Sequence, residues 1–239
     1  MPDHRFFLSA PFHSGGLLFL QEQEFHHLQN VMRIKEGELV ELINGQGQLA
    51  IAIVHKLEKH KAHLLLQEVI TEQPIPSTLI LAQAMPRMAR LENIVEKATE
   101  LGVTEIWLFP SAYSEKKEYS PSQLQRLQQI LIASIKQCGR LFLPSLAYKP
   151  PLSQWKTLST PCFFGDTDPH APHFLQALQK QSIHSALWMV GPEQGLTTQE
   201  SQLLKTDLAM TGVSINPYTL RVDTAAIVGL ALLSLFNKR

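Results

Sequence analysis

Cysteine is scarce: Cys138 and Cys162 are the only two in 239 residues. Two do not make a disulfide framework, so they are expected as reduced thiols in a cytoplasmic protein. No apolar run reaches bilayer-spanning length, so no membrane partner is expected. The start, Met1-Pro2-Asp3-His4-Arg5, lacks the basic-then-apolar pattern of a secretory signal. Surplus charge is missing too. Lys and Arg total 21 against 21 Asp and Glu, so the net charge does not advertise a nucleic-acid binder. His60-x-x-His63 and His170-x-x-His173 have metal-like spacing, but neither has a second ligand pair at zinc-site spacing, and no metal is expected. Internal repeats and low-complexity tracts are not seen. What remains is a globular composition with 44% hydrophobic residues, enough for the core of one large domain or two small ones.

The charge that is present is unevenly spread. Residues 1–72 hold 6 basic and 9 acidic side chains, residues 73–160 hold 10 and 6, and residues 161–239 hold 5 and 6. The middle segment is therefore the place to expect phosphate contacts, although a solvated helix face explains an excess of four equally well.

Residues 1–72 read as short strands around one helical patch. Arg5-Phe6-Phe7-Leu8 and Leu17-Leu18-Phe19-Leu20 are apolar runs. A helix over about residues 22–34 puts Phe25, Leu28, Met32 and Val31 on one face. Asn44-Gly45-Gln46-Gly47, between two β-rich runs, is a hairpin signal because Asn and Gly accept positive φ. A further run covers residues 62–70, giving a mainly antiparallel β unit. Thr71-Glu72-Gln73-Pro74-Ile75-Pro76-Ser77 reads as a linker, its two prolines opposing regular structure. From residue 78 apolar strands alternate with helices. Strands are expected at 79–82, 105–109, 161–164, 186–190 and within 208–215, and helices at 90–101, 120–137, 172–180, after 197 and at the end. That alternation predicts an α/β domain, residues 73–239, around a parallel sheet covered on both faces.

The stretch Met189-Val190-Gly191-Pro192-Glu193-Gln194-Gly195-Leu196-Thr197 joins a buried-type strand to a helix start, with Thr197 and Glu200 spaced as a capping box. Glycines let a backbone approach a ligand closely, and loop N–H groups face it. The spacing is neither a dinucleotide fingerprint nor a P-loop. Read alone, the loop fits an ordinary β–α turn as well as a ligand site.

A second motif, Thr219-Leu220-Arg221-Val222-Asp223-Thr224-Ala225-Ala226, opens the terminal helix. With His27-Leu28-Gln29-Asn30-Val31-Met32-Arg33, Glu96-Lys97-Ala98-Thr99-Glu100-Leu101-Gly102-Val103 and Gln137-Cys138-Gly139-Arg140, the pair resembles the ribosomal small-subunit methyltransferase E family of the SPOUT superfamily. The resemblance runs nearly end to end. It implies S-adenosylmethionine as cofactor, N3 of a uridine in 16S ribosomal RNA as target, the small subunit or its RNA as partner, and a homodimer. It implies an N-terminal PUA-like β-barrel over residues 1–72 and a C-terminal trefoil knot, where topology rules alone favour an unknotted order. The apolar helix over residues 225–236 offers a dimer seam.

By the same resemblance three loops hold the cofactor, each after an expected strand: Phe164, Gly165 and Asp166; Val190, Gly191, Pro192, Glu193, Gly195 and Leu196; and Ile215, Asn216, Tyr218, Thr219 and Leu220, with Thr224 beyond. Methyl transfer is an in-line displacement, and uridine N3 must also lose a proton that is not acidic at neutral pH. Glu193 and Asp223 are the candidate bases, with helix capping as their ordinary alternative. Arg140 is the candidate for gripping a phosphate or uracil carbonyl, or else it satisfies helix-end carbonyls. Arg221, the fourth catalytic-site candidate with Arg140, Glu193 and Asp223, is expected to stabilise the loop or contact RNA, with a salt bridge to Asp223 or Glu193 as the alternative. Arg87 and Arg90, at a strand-to-helix turn, and Arg33 and Lys35 are further RNA candidates, against a plain exposed face. Cys138 reads as a buried small hydrophobe.

The chain departs from the family pattern at several of these places. Gln194 stands where the family has glycine, a cost on the order of 1 kcal/mol if φ is positive there. Val222 and Asp223 replace Thr and Glu, Tyr218 and Thr219 replace an arginine and an aliphatic residue, and Lys136 stands where glutamate is common. Gln194 is the one feature favouring a catalytically weak RNA-binding relative. Another SPOUT activity, 2′-O-ribose methylation, is opposed by the β unit and the Gln137-to-Arg140 match.

Overall fold

The structure, a computed structural model, describes residues 4–180 and 183–236. Residues 1–3, at the start of the chain, lie outside them. The chain divides into two compact units, Met1–Pro74 with Ile132–Leu143, and Ile75–Leu131 with Pro144–Arg239. Residues 132–143 lie beyond the boundary read from sequence. They join the first unit because Ile135, Leu141 and Leu143 pack with Phe7, Ile43 and Leu49.

Alternation of apolar and polar residues builds the first unit's sheet. Its strands are β1 (Arg5–Phe7), β2 (Leu17–Gln21), β3 (Leu39–Ile43), β4 (Gln48–Leu57) and β5 (Lys61–Thr71), in the order β1-β3-β4-β5-β2. The β1–β3 pair is parallel and the other ladders are antiparallel. Val40, Leu42, Ala52, Val54, Leu64 and Leu66 point to one face and bury with Phe6, Phe25 and Leu28. The β3–β4 turn obeys its sequence signal. The Asn44 side-chain oxygen accepts from the N–H groups of Gln46 and Gln48, and Gly45 and Gly47 take φ of 72° and 92°.

The helix expected over residues 22–34 is interrupted. α1 (Glu22–His26) gives way to a π-turn, His27–Val31, in which Met32 N–H donates to His27 O at 2.9 Å. The wider turn adds a residue and rotates the backbone beyond it. Phe25 and Leu28 stay buried, but Val31 turns outward and is 61% exposed, contrary to the helical reading.

In the second unit β6 (Leu79–Ala84), β7 (Glu105–Phe109), β8 (Ser145–Tyr148), β9 (Cys162–Gly165), β10 (Ala186–Val190) and β11 (Thr211–Val213) form one sheet, ordered β11-β9-β10-β6-β7-β8. Every ladder in it is parallel. β8 had no sequence signal: it is four half-exposed residues at an edge. The helices are α2 (Met88–Glu100), α3 (Pro121–Cys138), α4 (Phe174–Gln179), α5 (Thr198–Thr206) and α6 (Val222–Phe236). Ser120 caps α3 with Gln123 in return, as the sequence predicts. The division between the units falls within α3, whose last residue, Cys138, is exposed rather than buried. Cys162 is the buried thiol, and burial pushes it up to about 11. Among the described residues no helix is long and apolar enough to cross a membrane.

Both faces of this sheet are covered. Ile80, Ala82, Phe164, Leu187 and Met189 meet Leu204 of α5, with Leu208 and Met210 beyond it. The opposite face is covered by α6, which packs on β10 and β6, and by α4 through Phe174, and Trp188 carries that contact. Its ring stacks on Phe174 at 4.8 Å, and its indole N–H donates to Ala225 O at 3.1 Å. Gly229 makes room, since a Cβ there would overlap the Trp188 ring. Gly229→Ala gains about 1 kcal/mol of helix propensity. A methyl inside a fixed indole costs more, so the variant should lose about 1–3 kcal/mol net in urea denaturation monitored by circular dichroism.

Candidate functional site

Register decides where the three loops after β9, β10 and β11 emerge. β9 lies between β10 and β11, with Met189 opposite Phe164 and Val213 opposite Gly165. All three strands point the same way and end at one level. Adjacent strands are about 4.8 Å apart, so the loops leave the sheet within about 10 Å of one another. Crevices outside the carboxyl ends of parallel strands are where such sheets bind ligands.

The loop after β10 is built by its glycines. Gly195 N–H donates to Pro192 O at 2.9 Å, closing a turn, and Gly195 takes φ of 79° with nothing within 4 Å of where a Cβ would stand. Gly191 lies against Leu196, whose Cγ would be 3.0 Å from an added Cβ. Gln194 sits exposed and is not among the residues with positive φ. The strain that would mark this loop as defective is therefore not there. Beneath it, the buried Gln83 side chain donates to Ala84 O at 2.8 Å and toward Gly191 O at 3.4 Å, leaving its own oxygen without a partner.

The box at Thr197 is complete. Glu200 N–H donates to Thr197 Oγ1 at 3.1 Å and Thr197 N–H to Glu200 Oε2 at 2.9 Å. Glu200 also accepts from Ser111 Oγ and Ala112 N–H through Oε1, tying the loop after β7 to the head of α5. A cleft of about 640 Å³ opens here, lined among others by Ser111, Lys117, Leu152 and Glu200.

The two acidic candidates share one arginine. Arg90 Nε lies 3.6 Å from Glu193 Oε1, and Arg90 Nη1 lies 3.6 Å from Asp223 Oδ1. Glu193 also accepts from Arg87 N–H, at the head of α2, at 3.2 Å. Arg221 reaches Asp223 only at 4.0 Å and is 72% exposed. Glu193 Oε2 and Asp223 Oδ1 are buried and accept no hydrogen bond. Arg90, read from sequence as a phosphate contact, is thus an internal bridge between the β10 loop and the first turn of α6. Arg87 is committed as well, its guanidinium forked onto Glu115. That contact lowers the Glu115 carboxyl and raises the Arg87 guanidinium.

The remaining candidates divide by location. Phe164 is a core residue, 1% exposed, and Val190 and Pro192 are buried. Asp166 Oδ2 pairs with Lys205 Nζ of α5 at 2.7 Å. Ile215 and Leu220 are half-buried. Asn216, Tyr218, Thr219 and Thr224 are exposed, and Tyr218 N–H donates to the Asn216 side chain at 2.8 Å. Arg33 (φ 55°), Lys35 and Arg140 belong to the first unit, where Arg33 and Lys35 are exposed and Arg140 is half-buried. In that unit Lys136 pairs with Glu24 at 2.6 Å, which accommodates a lysine there. Sequence reasoning missed Gln83, Arg90 as a bridge, and Lys205. Gln83, the lone polar residue in an apolar strand, was the available signal.

The second unit is thus an open parallel α/β sheet with three loops leaving it at one end, and the first is a mainly antiparallel β sheet. Residues 72–234 match the family model described as RNA methyltransferase domain, and residues 20–67 the one described as RNA methyltransferase PUA domain. A Synechocystis protein named Ribosomal RNA small subunit methyltransferase E is 32% identical over 226 residues, covering 89% of this chain and 71% of that one. Its Aquifex aeolicus namesake is 27% identical over 229 residues, covering 93% and 96%. The crystal structure of a Ribosomal RNA small subunit methyltransferase E from Neisseria gonorrhoeae, bound to S-adenosyl methionine, is 26% identical with a TM-score of 0.82, covering 98% and 97%. This chain belongs to the ribosomal RNA small subunit methyltransferase E family.

Burial pushes the Glu200 carboxyl up, but the hydrogen bonds from Thr197, Ala112 and Ser111 outweigh it and hold it below the ordinary glutamate value. A lowered folded-state value contributes stability above the unfolded value, and that contribution is lost as pH falls through the folded one. Glu200→Ala should cost about 1–2 kcal/mol in denaturant titrations at about pH 7. The deficit should shrink progressively below about pH 4.

Proposed function

We propose that this chain transfers a methyl group from S-adenosylmethionine to N3 of a uridine in small-subunit ribosomal RNA. The observation that carries this reading is the common exit of three loops from β9, β10 and β11 at one sheet edge, in a member of this family. The residues there fit the cofactor. Gly195 opens onto free space, Gly191 lets Leu196 close against the loop backbone, and the Gln83 oxygen is an uncommitted buried acceptor. Backbone groups of residues 191–196 and 215–220 hold the adenine in this reading. The bound cofactor supplies an electrophilic methyl on a sulfonium.

The chain's own residues do the rest. Holding the reacting atoms in line is worth several powers of ten, because it removes the entropy of bringing them together. The uridine N3 proton needs an acceptor. Glu193 Oε2 and Asp223 Oδ1 are buried and accept no hydrogen bond, although Asp223 Oδ1 faces the Arg90 guanidinium at 3.6 Å, and these two carboxylates are the candidate acceptors. Arg90 between them offsets their mutual repulsion. Arg140 and the exposed Arg33 and Lys35 hold the RNA through phosphates. The reading includes a homodimer, a cytoplasmic setting and a trefoil-knotted C-terminus. In support of the knot, the chain leaves β11 at the sheet's edge, passes β9 and returns as α6 against β10 and β6.

The test is methyl transfer from radiolabelled S-adenosylmethionine to small-subunit RNA and to assembled subunits, with nucleoside mass spectrometry of the product. Labelled 3-methyluridine at one position is expected. Label on ribose, or none on either substrate, would overturn the reading. In the same assay Asp223→Asn and Glu193→Gln separate the two acids. The true proton acceptor should lose about 10²- to 10⁴-fold in kcat, and the other less than about tenfold. Arg140→Ala should raise KM for RNA and flatten its dependence on salt.

A further inference from the structure

Lys205 stands at the far end of α5 from the Thr197 box, and nothing in the chemistry above uses it. Its ammonium meets Asp166 Oδ2 at 2.7 Å and Asp168 at 3.7 Å. The Asp166 side chain is only 9% exposed. Three further contacts fix it. Asp166 N–H donates to Val213 O of β11 at 2.9 Å. The Asp166 Oδ1 atom accepts from Asp168 N–H at 3.0 Å. Its Oδ2 occupies the space over Gly212, where an added Cβ would overlap it. Both carboxylate oxygens are therefore committed within the protein, one to a cation and one to the loop's own backbone.

Helix α5 thus touches two of the three loop regions from opposite ends. Its first turn, through Thr197 and Glu200, ends the loop after β10. Its last turn, through Lys205, grips the loop after β9, which is itself bonded to β11. We infer that Lys205 is a positioning residue for the S-adenosylmethionine site: by neutralising Asp166 over Gly212 it fixes the loop after β9, and so sets cofactor affinity without itself contacting the cofactor. This rests on the cofactor reading proposed above, and it moves Asp166 from direct ligand to latch. The loop's contribution to binding is then its backbone, held at the right height by a side chain that points away into the pair.

The experiment compares Lys205→Met, Asp166→Asn, the double variant and Lys205→Arg. Calorimetry with S-adenosylmethionine and steady-state methyl transfer are run on each intact protein, with thermal unfolding alongside. Each single variant should raise Kd and KM for S-adenosylmethionine by about three- to tenfold, as expected for one partly exposed pair. The double variant should be no worse than either single one, because both remove the same contact. At saturating cofactor kcat should stay within about twofold of wild type, a split that general destabilisation would not produce. Lys205→Arg should restore the affinity. Unchanged Kd in Lys205→Met overturns the inference. So does a much larger loss in Asp166→Asn than in Lys205→Met, which would mean Asp166 binds the cofactor directly. If the wild-type protein itself takes up no S-adenosylmethionine, the proposed function fails, an outcome distinct from both.

Discussion

Parallel pairing of β9 with β10 on one side and β11 on the other is the constraint on which the rest depends. Parallel strands cannot be joined by tight hairpins, so each must lead into a crossing segment. All the exits therefore fall on one edge. A one-residue slip would exchange the faces of every side chain, sending Phe164 and Met189 out of the core they share with α5. The hydrophobic pattern fixes the register, and the register brings the loops together. The chemistry proposed for the site is a consequence of that order, not an independent feature of the loops.

Around that edge, charge is used internally more than it is displayed. Arg90 bridges Glu193 and Asp223, Lys205 holds Asp166, and Arg87 is forked onto Glu115. Each pair joins elements far apart in the chain. Of the middle segment's basic residues, Arg87 and Arg90 are committed in this way.

The fold was largely legible in the residues, and the reasons are specific. Near-continuous apolar runs announced β6, β7, β9 and β10, and Ser120 and Thr197 announced the helices after them through their capping partners. β8 was not legible, because four half-exposed residues at an edge carry neither periodicity nor bulk. The π-turn at residues 27–31 was hidden because the sequence there keeps a helical apolar spacing, while the backbone shifts by one bond and turns Val31 outward. The site was half legible. Loop positions track strand ends and were found. The partners of Arg90 and Lys205 depend on tertiary contacts across the sheet, which no local pattern encodes. The Gln194 question turned on one backbone angle, which the sequence does not state.

The aromatic residues carry a practical consequence. All three tryptophans, Trp107, Trp155 and Trp188, fall in the second unit and none in the first. Trp107 and Trp155 meet edge to face, while Trp188 is sealed under α6. Intrinsic indole emission is therefore a built-in, label-free optical reporter whose probes all sit in one of the two units.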